Sequence, residues 1–192
     1  MEREPPRPDA PDVTGAEHLL AKHSAVDRSG GHRQALLSGV VMRRTRAVPH
    51  EDGHLTEVAR TDWQEIVNPI VQVHVTTTLA GRVRAWGLHQ RSTDRLFVVS
   101  GIVKIVLFDG RNDSPTRGQF NEFVVSERAP ALVCVPPNLY HGWKNIGVNE
   151  AYIINMPSSQ YEHEGPDALD LPYESAAAAE VVPWRWWATA VD

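Results

Sequence analysis

At 192 residues, with 42% hydrophobic and 22% charged residues, the chain can bury one sizeable core and has the composition of an ordinary globular domain. A formal charge of −5 argues against a broad nucleic-acid surface, and no apolar run approaches the ~18 residues that span a bilayer. Met1-Glu2-Arg3-Glu4-Pro5-Pro6-Arg7 lacks the apolar centre of a signal peptide. The single cysteine, Cys134, has no internal disulfide partner, so a reducing cytoplasm is the expected setting.

Residues 1–36 are Pro-rich and then polar, an arm expected to be partly disordered or packed on a partner subunit, with one short helix over 16–22. From 37 to 156 the text is strands and turns. Segments 40–42, 66–78, 81–86, 96–99, 102–108, 120–125, 132–135 and 151–155 read as extended. Turn formers such as Asp109-Gly110-Arg111-Asn112-Asp113 separate them at spacings typical of an all-β sandwich or barrel. Within Leu132-Val133-Cys134-Val135 the cysteine reads as a small buried hydrophobe. Residues 157–192 are acidic and then aromatic, and Trp184-Arg185-Trp186-Trp187 is expected to cover a barrel end or a subunit contact. No repeat and no Gly-x-x-x-x-Gly-Lys phosphate loop is present.

The stretch Pro136-Pro137-Asn138-Leu139-Tyr140-His141-Gly142-Trp143-Lys144-Asn145 is the most informative. A turn ends the apolar strand before it, and a histidine opens the next extended segment. Pro136, Asn138, His141 and Asn145 match the second cupin motif, Pro-x-Gly-x2-His-x3-Asn, with Asn138 in the glycine's place. Asparagine is the commonest non-glycine residue at positive φ, so the exchange is physically sound. His141 is then expected to point into the mouth of a small β-barrel.

Asp52-Gly53-His54-Leu55-Thr56-Glu57, Gly81-Arg82-Val83-Arg84, Val99-Ser100-Gly101, Arg111-Asn112-Asp113-Ser114-Pro115-Thr116-Arg117-Gly118-Gln119 and Pro136 to Gly142 follow one another in a family-like order. That order, over roughly residues 50–156, resembles the dTDP-4-dehydrorhamnose 3,5-epimerases. The resemblance implies an all-β cupin jelly roll that is dimeric and works without metal or cofactor. In the family a histidine abstracts the proton beside the sugar ketone, and a tyrosine on the opposite side returns one.

Set on the family's Arg-Gly-Leu-His-x-Gln, the stretch Arg84-Ala85-Trp86-Gly87-Leu88-His89 matches at Arg84, leaves Gly87 at the base's place and puts His89 at the glutamine's. Counting on from the His-Gly step puts Ile154 at the family's tyrosine, with Tyr152 two residues earlier. A shift of two preserves the face of a strand, so His89 and Tyr152 would both point inward, each displaced by about 6.6 Å. They are the expected base and acid, with Arg84 stabilising an anion or enolate. A histidine suits the base's role because its ordinary pKa of ~6.5 lies near working pH.

Glu57 and Gln72 match residues of the family's nucleotide and substrate pocket, whereas Asp52 stands where an arginine would meet the diphosphate. Arg84 and Arg95 are the cations that would compensate. Gln72, His74 and Thr76 alternate onto one face, expected inward, and Tyr140 and His141 are expected to line the pocket.

The leading expectation is an isomerase that abstracts a proton next to a carbonyl of a nucleotide-linked 4-keto-deoxysugar. Its partners would be a small-molecule substrate and a second copy of the chain, with neither nucleic acid nor membrane. Asp52, Trp86 and Trp143 favour a second reading, an isomerase or cyclase acting on a secondary metabolite without a nucleotide. Gly87 favours a third, a non-catalytic metabolite-binding cupin. Within the same fold, His89, His141 and either Asp94 or His74 form a three-ligand set, which with Asp94 is the two-histidine-one-carboxylate pattern that holds iron. The loss of one histidine from the metallocupin His-x-His pattern counts against that set, so no metal is expected.

Overall fold

The computed structural model describes residues 34–186, and the helix expected at 16–22, most of the arm and Trp187 lie outside them. The chain runs through β1 (Val41–Arg44), β2 (Ala47–His50), β3 (Gly53–Thr56), β4 (His74–Thr78), β5 (Val83–His89) and β6 (Asp94–Ser100). It continues through β7 (Ile102–Phe108), β8 (Phe120–Ser126), β9 (Ala131–Val135), β10 (Tyr140–Asn145), β11 (Ala151–Asn155), β12 (Ala168–Asp170) and the short helix α1 (Ala176–Val181). Two five-stranded antiparallel sheets, ordered β1-β9-β6-β11-β4 and β12-β5-β10-β7-β8, form the jelly roll, and β2 with β3 makes a separate hairpin. No helix of the described residues is long and apolar enough to cross a membrane.

Side-chain alternation builds the core between the two sheets. Leu96 and Val98 of β6, Val133 and Val135 of β9, and Ile153 of β11 meet Ile105 and Leu107 of β7 and Phe123 of β8. The intervening residues point outward, and each sheet has its own outer cover. On the first sheet, Phe97, Leu132 and Cys134 lie under Trp63, Ile66 and Ile70 of the segment before β4. Burial pushes the Cys134 thiol up to about 11, as befits a core residue rather than a nucleophile. On the second sheet, Trp86 and Val106 lie under Ala178, Val182 and Trp186.

The described part of the tail lies against the second sheet. It packs its aromatics on the outer face of the second sheet, with Trp86 and Trp186 centroids 5.1 Å apart, rather than over a barrel end. It also adds β12 to the edge of β5, so the sheet extends past residue 156. Other boundaries shift too. The extended segment read at 66–78 is a strand only from His74, because its first half is the apolar cover of the first sheet. Near the other boundary, Asn121 holds the backbone through Leu37 N (2.9 Å) and Ala35 O (2.8 Å).

Two turns fix the strands that matter for the site. Asn138 has φ 63°, the left-handed conformation anticipated from its place in the motif. Its backbone N–H donates to His89 O at 2.6 Å, which ties the start of β10 to the end of β5. Between β6 and β7, Gly101 has φ 95°, and a Cβ there would stand 2.9 Å from Ala151 Cα. Only glycine meets both conditions.

Candidate active site

β5 and β10 pair antiparallel, with His141 opposite Gly87 and Trp143 opposite Arg84. Two residues on β5, Ala85 and Trp86, therefore oppose the single residue Gly142 on β10, which is a β-bulge. The bulge resets the alternation, so Arg84, Gly87 and His89 all face inward although three residues separate the first two. Gly87 clears the space that His141 fills, since a Cβ there would lie 3.1 Å from His141 Nε2. Asp94, the first residue of β6, shares the inward face of Leu96 and Val98.

These elements bring three side chains together. His89 Nε2 and His141 Nε2 lie 3.2 Å and 3.3 Å from the same atom, Asp94 Oδ2. The imidazoles are nearly parallel, 16° between planes, with centroids 5.5 Å apart. His141 Nδ1 bonds Leu139 O at 3.2 Å, while His89 Nδ1 looks toward Asp167 Oδ2 at 3.9 Å. Asp167 is held by the backbone N–H groups of Arg91 (3.1 Å) and Ser92 (2.9 Å). The pairing of β12 with β5 delivers it from the tail.

The buried carboxylate organises the charges. Burial alone would raise the Asp94 carboxyl, but hydrogen bonds from His141 and then His89 hold it well below the usual carboxylate range. For His89, burial opposes the charged ring, and the hydrogen bond and charge of Asp94, with the charge of Asp167, outweigh it and raise the pKa. His141 is closed off with Asp94, whereas the His89 side chain is 23% exposed and reaches the mouth of the barrel. His89 is thus the member of the cluster that a ligand can reach. One donor atom from each of the three residues lies within 4.8 Å of the others, close enough for a metal ion.

The remaining sequence-predicted residues fall elsewhere. Tyr152 does share a face with Ile154, as the strand period demands, but that face is the outer one, because Ala151 and Ile153 take the core side of β11. It is 43% exposed and its hydroxyl donates to Glu150 Oε2 at 3.3 Å, so it does not face the histidines. Tyr152→Phe is therefore expected to change turnover less than twofold, and a loss above tenfold in a steady-state assay would contradict this placement.

Arg95 also points outward. It is 1% exposed and donates to Met156 O (3.0 Å) and Asn68 O (2.6 Å), clamping the cover of the first sheet rather than meeting a substrate. Tyr140 alternates to the face opposite His141. There it lines, with Leu88, Arg111 and Asn138, an open cleft of about 620 Å³. Glu57 is engaged by Arg60 at 2.8 Å, and Gln72 Oε1 accepts from Tyr161 N at 2.9 Å. His74 pairs with Asn155 on the inward-facing side of β4 but is exposed and outside the cluster. Arg84 is exposed on the inner face, 6.0 Å from the Trp143 ring centroid, and has no ion-pair partner among the described residues.

Asp167 is the residue that sequence reading missed. It lies in Gly165-Pro166-Asp167, a turn-like string without a motif, and only the β12–β5 pairing brings it to His89.

Residues 34–174 match the family model described as dTDP-4-dehydrorhamnose 3,5-epimerase. A relative from Haloferax volcanii, the Probable low-salt glycan biosynthesis epimerase Agl13, is 33% identical over 136 residues, spanning 70% of this chain and 87% of its own. The chain belongs to the dTDP-4-dehydrorhamnose 3,5-epimerase family. The Spore coat polysaccharide biosynthesis protein SpsL of Bacillus subtilis is 24% identical over 151 residues, 79% of this chain and 97% of its own. Among solved structures, a dTDP sugar isomerase from Desulfovibrio desulfuricans superposes with a TM-score of 0.71 at 24% identity, covering 78% of this chain and 92% of that one. The all-β cupin jelly roll is thus the fold of the family, and this member is an isomerase of the epimerase class.

Proposed function

We propose that this epimerase abstracts a proton next to the carbonyl of a dTDP-linked 4-keto-6-deoxy sugar, with His89 as the base. What carries the reading is the placement of His89, an inward-facing imidazole at the barrel mouth, oriented by Asp94 at 3.2 Å and faced by Asp167 at 3.9 Å. A base held in one orientation between carboxylates keeps its geometry through proton transfer, and the carboxylates stabilise the imidazolium that forms. Gly87-Leu88-His89 also matches the Gly-Leu-His of the family pattern directly, which supports His89 as the base and leaves Trp86 at the arginine's place. Matching through Arg84 runs across the bulge and so slips the register. Arg84, exposed on the same inner face, supplies a cation for the diphosphate or the enolate.

Relatives support the substrate class: one of similar fold is a 4-keto-6-deoxy sugar epimerase, and others were crystallised with TDP or dTDP-quinovose. The open edge of β4, with Val73 and Val75 exposed, supports a second copy of the chain as partner.

Calorimetry with dTDP tests the nucleotide handle. Binding is expected with a micromolar dissociation constant, about 8 kcal/mol, weakening with salt and again in Arg84→Ala. Asp52 lies at the exposed tip of the β2–β3 hairpin, and Asp52→Arg is expected to tighten binding by adding a charge-assisted contact. No binding at millimolar dTDP in either protein would contradict the reading.

A further inference from the structure

Behind the strands that carry the histidines, the molecule has a second concave surface. Side chains alternate along β10, so Tyr140 leaves the sheet on the side opposite His141, and Leu88 of β5 does so opposite His89. There they meet the loop between β7 and β8, whose residues Gly110, Arg111, Asn112 and Asp113 close the open cleft of about 620 Å³. Small-molecule sites span about 300–1,000 Å³, so the cleft has the size of one. His89, Asp94 and His141 take no part in its lining.

Both walls are held in place. Buried Asp109 fixes the loop through Arg111, Ser114 and Thr116. On the other side, the left-handed backbone of Asn138 and its N–H bond to His89 O set the start of β10. Gly110 lets the loop close onto Tyr140, since a Cβ there would stand 3.1 Å from the ring's Cε2. A site already in its bound shape loses little entropy on binding.

The polar groups of the cleft are available to a ligand. Arg111 uses Nε and Nη2 on Asp109, Ser38 and Ser114, whereas its Nη1 makes no hydrogen bond among the described residues. The same holds for the Tyr140 hydroxyl and for the exposed side chains of Asn112 and Asp113. Charge narrows the class of ligand. Asp109 neutralises Arg111 at 2.9 Å, so exposed Asp113 leaves the lining net negative and disfavours a phosphate or other anion. Tyr140, Leu88 and Pro115 supply an apolar wall, and the negative face of an aromatic ring attracts the polarised C–H groups of a pyranose.

We propose that this cleft binds a neutral saccharide unit, one without phosphate, independently of the catalytic pocket. Tyr140 stacks on the C–H face of the sugar, while Arg111 Nη1, Asn112 and Asp113 bond its hydroxyls. A sugar hydroxyl both donates and accepts, which suits a lining that sets donors beside a carboxylate.

The test is saturation-transfer NMR on the full-length protein with a panel of methyl hexosides and methyl 6-deoxyhexosides. At least one should bind with a millimolar dissociation constant. Tyr140→Ala and Asp113→Ala should each weaken it at least about tenfold, whereas His89→Asn should leave it unchanged. Asp113 is exposed, so Asp113→Ala should keep its fold by far-UV circular dichroism even where Tyr140→Ala does not. The matching hexose 1-phosphate should bind no more tightly than the methyl glycoside. Absence of saturation transfer at tens of millimolar sugar, or binding retained in either folded variant, would overturn the site. Binding lost in His89→Asn would put the sugar in the catalytic pocket and overturn it as well. A 1-phosphate that binds at least tenfold more tightly would overturn the neutral assignment.

Discussion

His89→Asn is expected to lower turnover by about 10²–10⁴-fold, the usual contribution of a general base. The protein should stay folded, because Asp94 keeps its second partner, His141, at 3.3 Å. Asparagine retains an N–H that can reach Asp94, so the buried carboxylate is not left unpaired. Affinity for dTDP should change little, since the nucleotide does not depend on the base. Steady-state kinetics with calorimetry separates these effects: a fall in kcat at unchanged nucleotide affinity is the expected pattern. A loss below threefold would reject His89 as the base.

Asp109→Ala is expected to be the most destabilising single substitution outside the apolar core, at about 3 kcal/mol or more. Asp109 is fully buried and accepts from Arg111 Nε and Nη2, both at 2.9 Å, from Ser114 Oγ at 2.5 Å and from Thr116 Oγ1 at 2.6 Å. These bonds hold the long loop between β7 and β8, and Arg111 and Thr116 reach from it to the backbone O and N of Ser38. The Arg111 side chain is 25% exposed, which places the expected cost at the low end for a broken buried pair.

Burial alone would raise the Asp109 carboxyl, yet the bonds from Arg111, Ser114 and Thr116 outweigh it and hold it well below the usual range. A carboxyl depressed in the folded state stabilises the protein above its unfolded pKa of ~3.9, and that stability drains away as pH falls toward the folded value. Wild-type stability from chemical denaturation should therefore fall below about pH 4, and Asp109→Ala should flatten that fall. An equally steep acid limb in the variant would contradict the role.

Much of this fold is legible because period and turn chemistry are local. The apolar runs at 102–108, 120–125 and 132–135 are strands at nearly those bounds, and Asn138 adopts positive φ where the motif requires it. His141 faces inward for the same reason. What the sequence conceals is what depends on register and on distant pairing. The bulge at Ala85-Trp86 breaks the alternation that an Arg84-anchored alignment assumes, so His89 reads as displaced when it sits with Asp94. On β11 the parity argument holds, yet parity alone cannot say which face is the inner one, and Tyr152 lies outside. Arg95 reads as a substrate cation but is enclosed by carbonyls of the cover segment, a long-range contact without a local signal. Asp167 needs β12 to reach the site at all.

The most direct measurement is solvent-deuterium incorporation into a dTDP-linked 4-keto-6-deoxy sugar, read by mass spectrometry and proton NMR. Wild-type protein should place deuterium at a carbon beside the carbonyl, and His89→Asn should slow that exchange by the same 10²–10⁴-fold as turnover. No exchange with wild-type protein that binds the sugar nucleotide, or equal exchange rates in the two proteins, would contradict a proton-abstracting epimerase that uses His89.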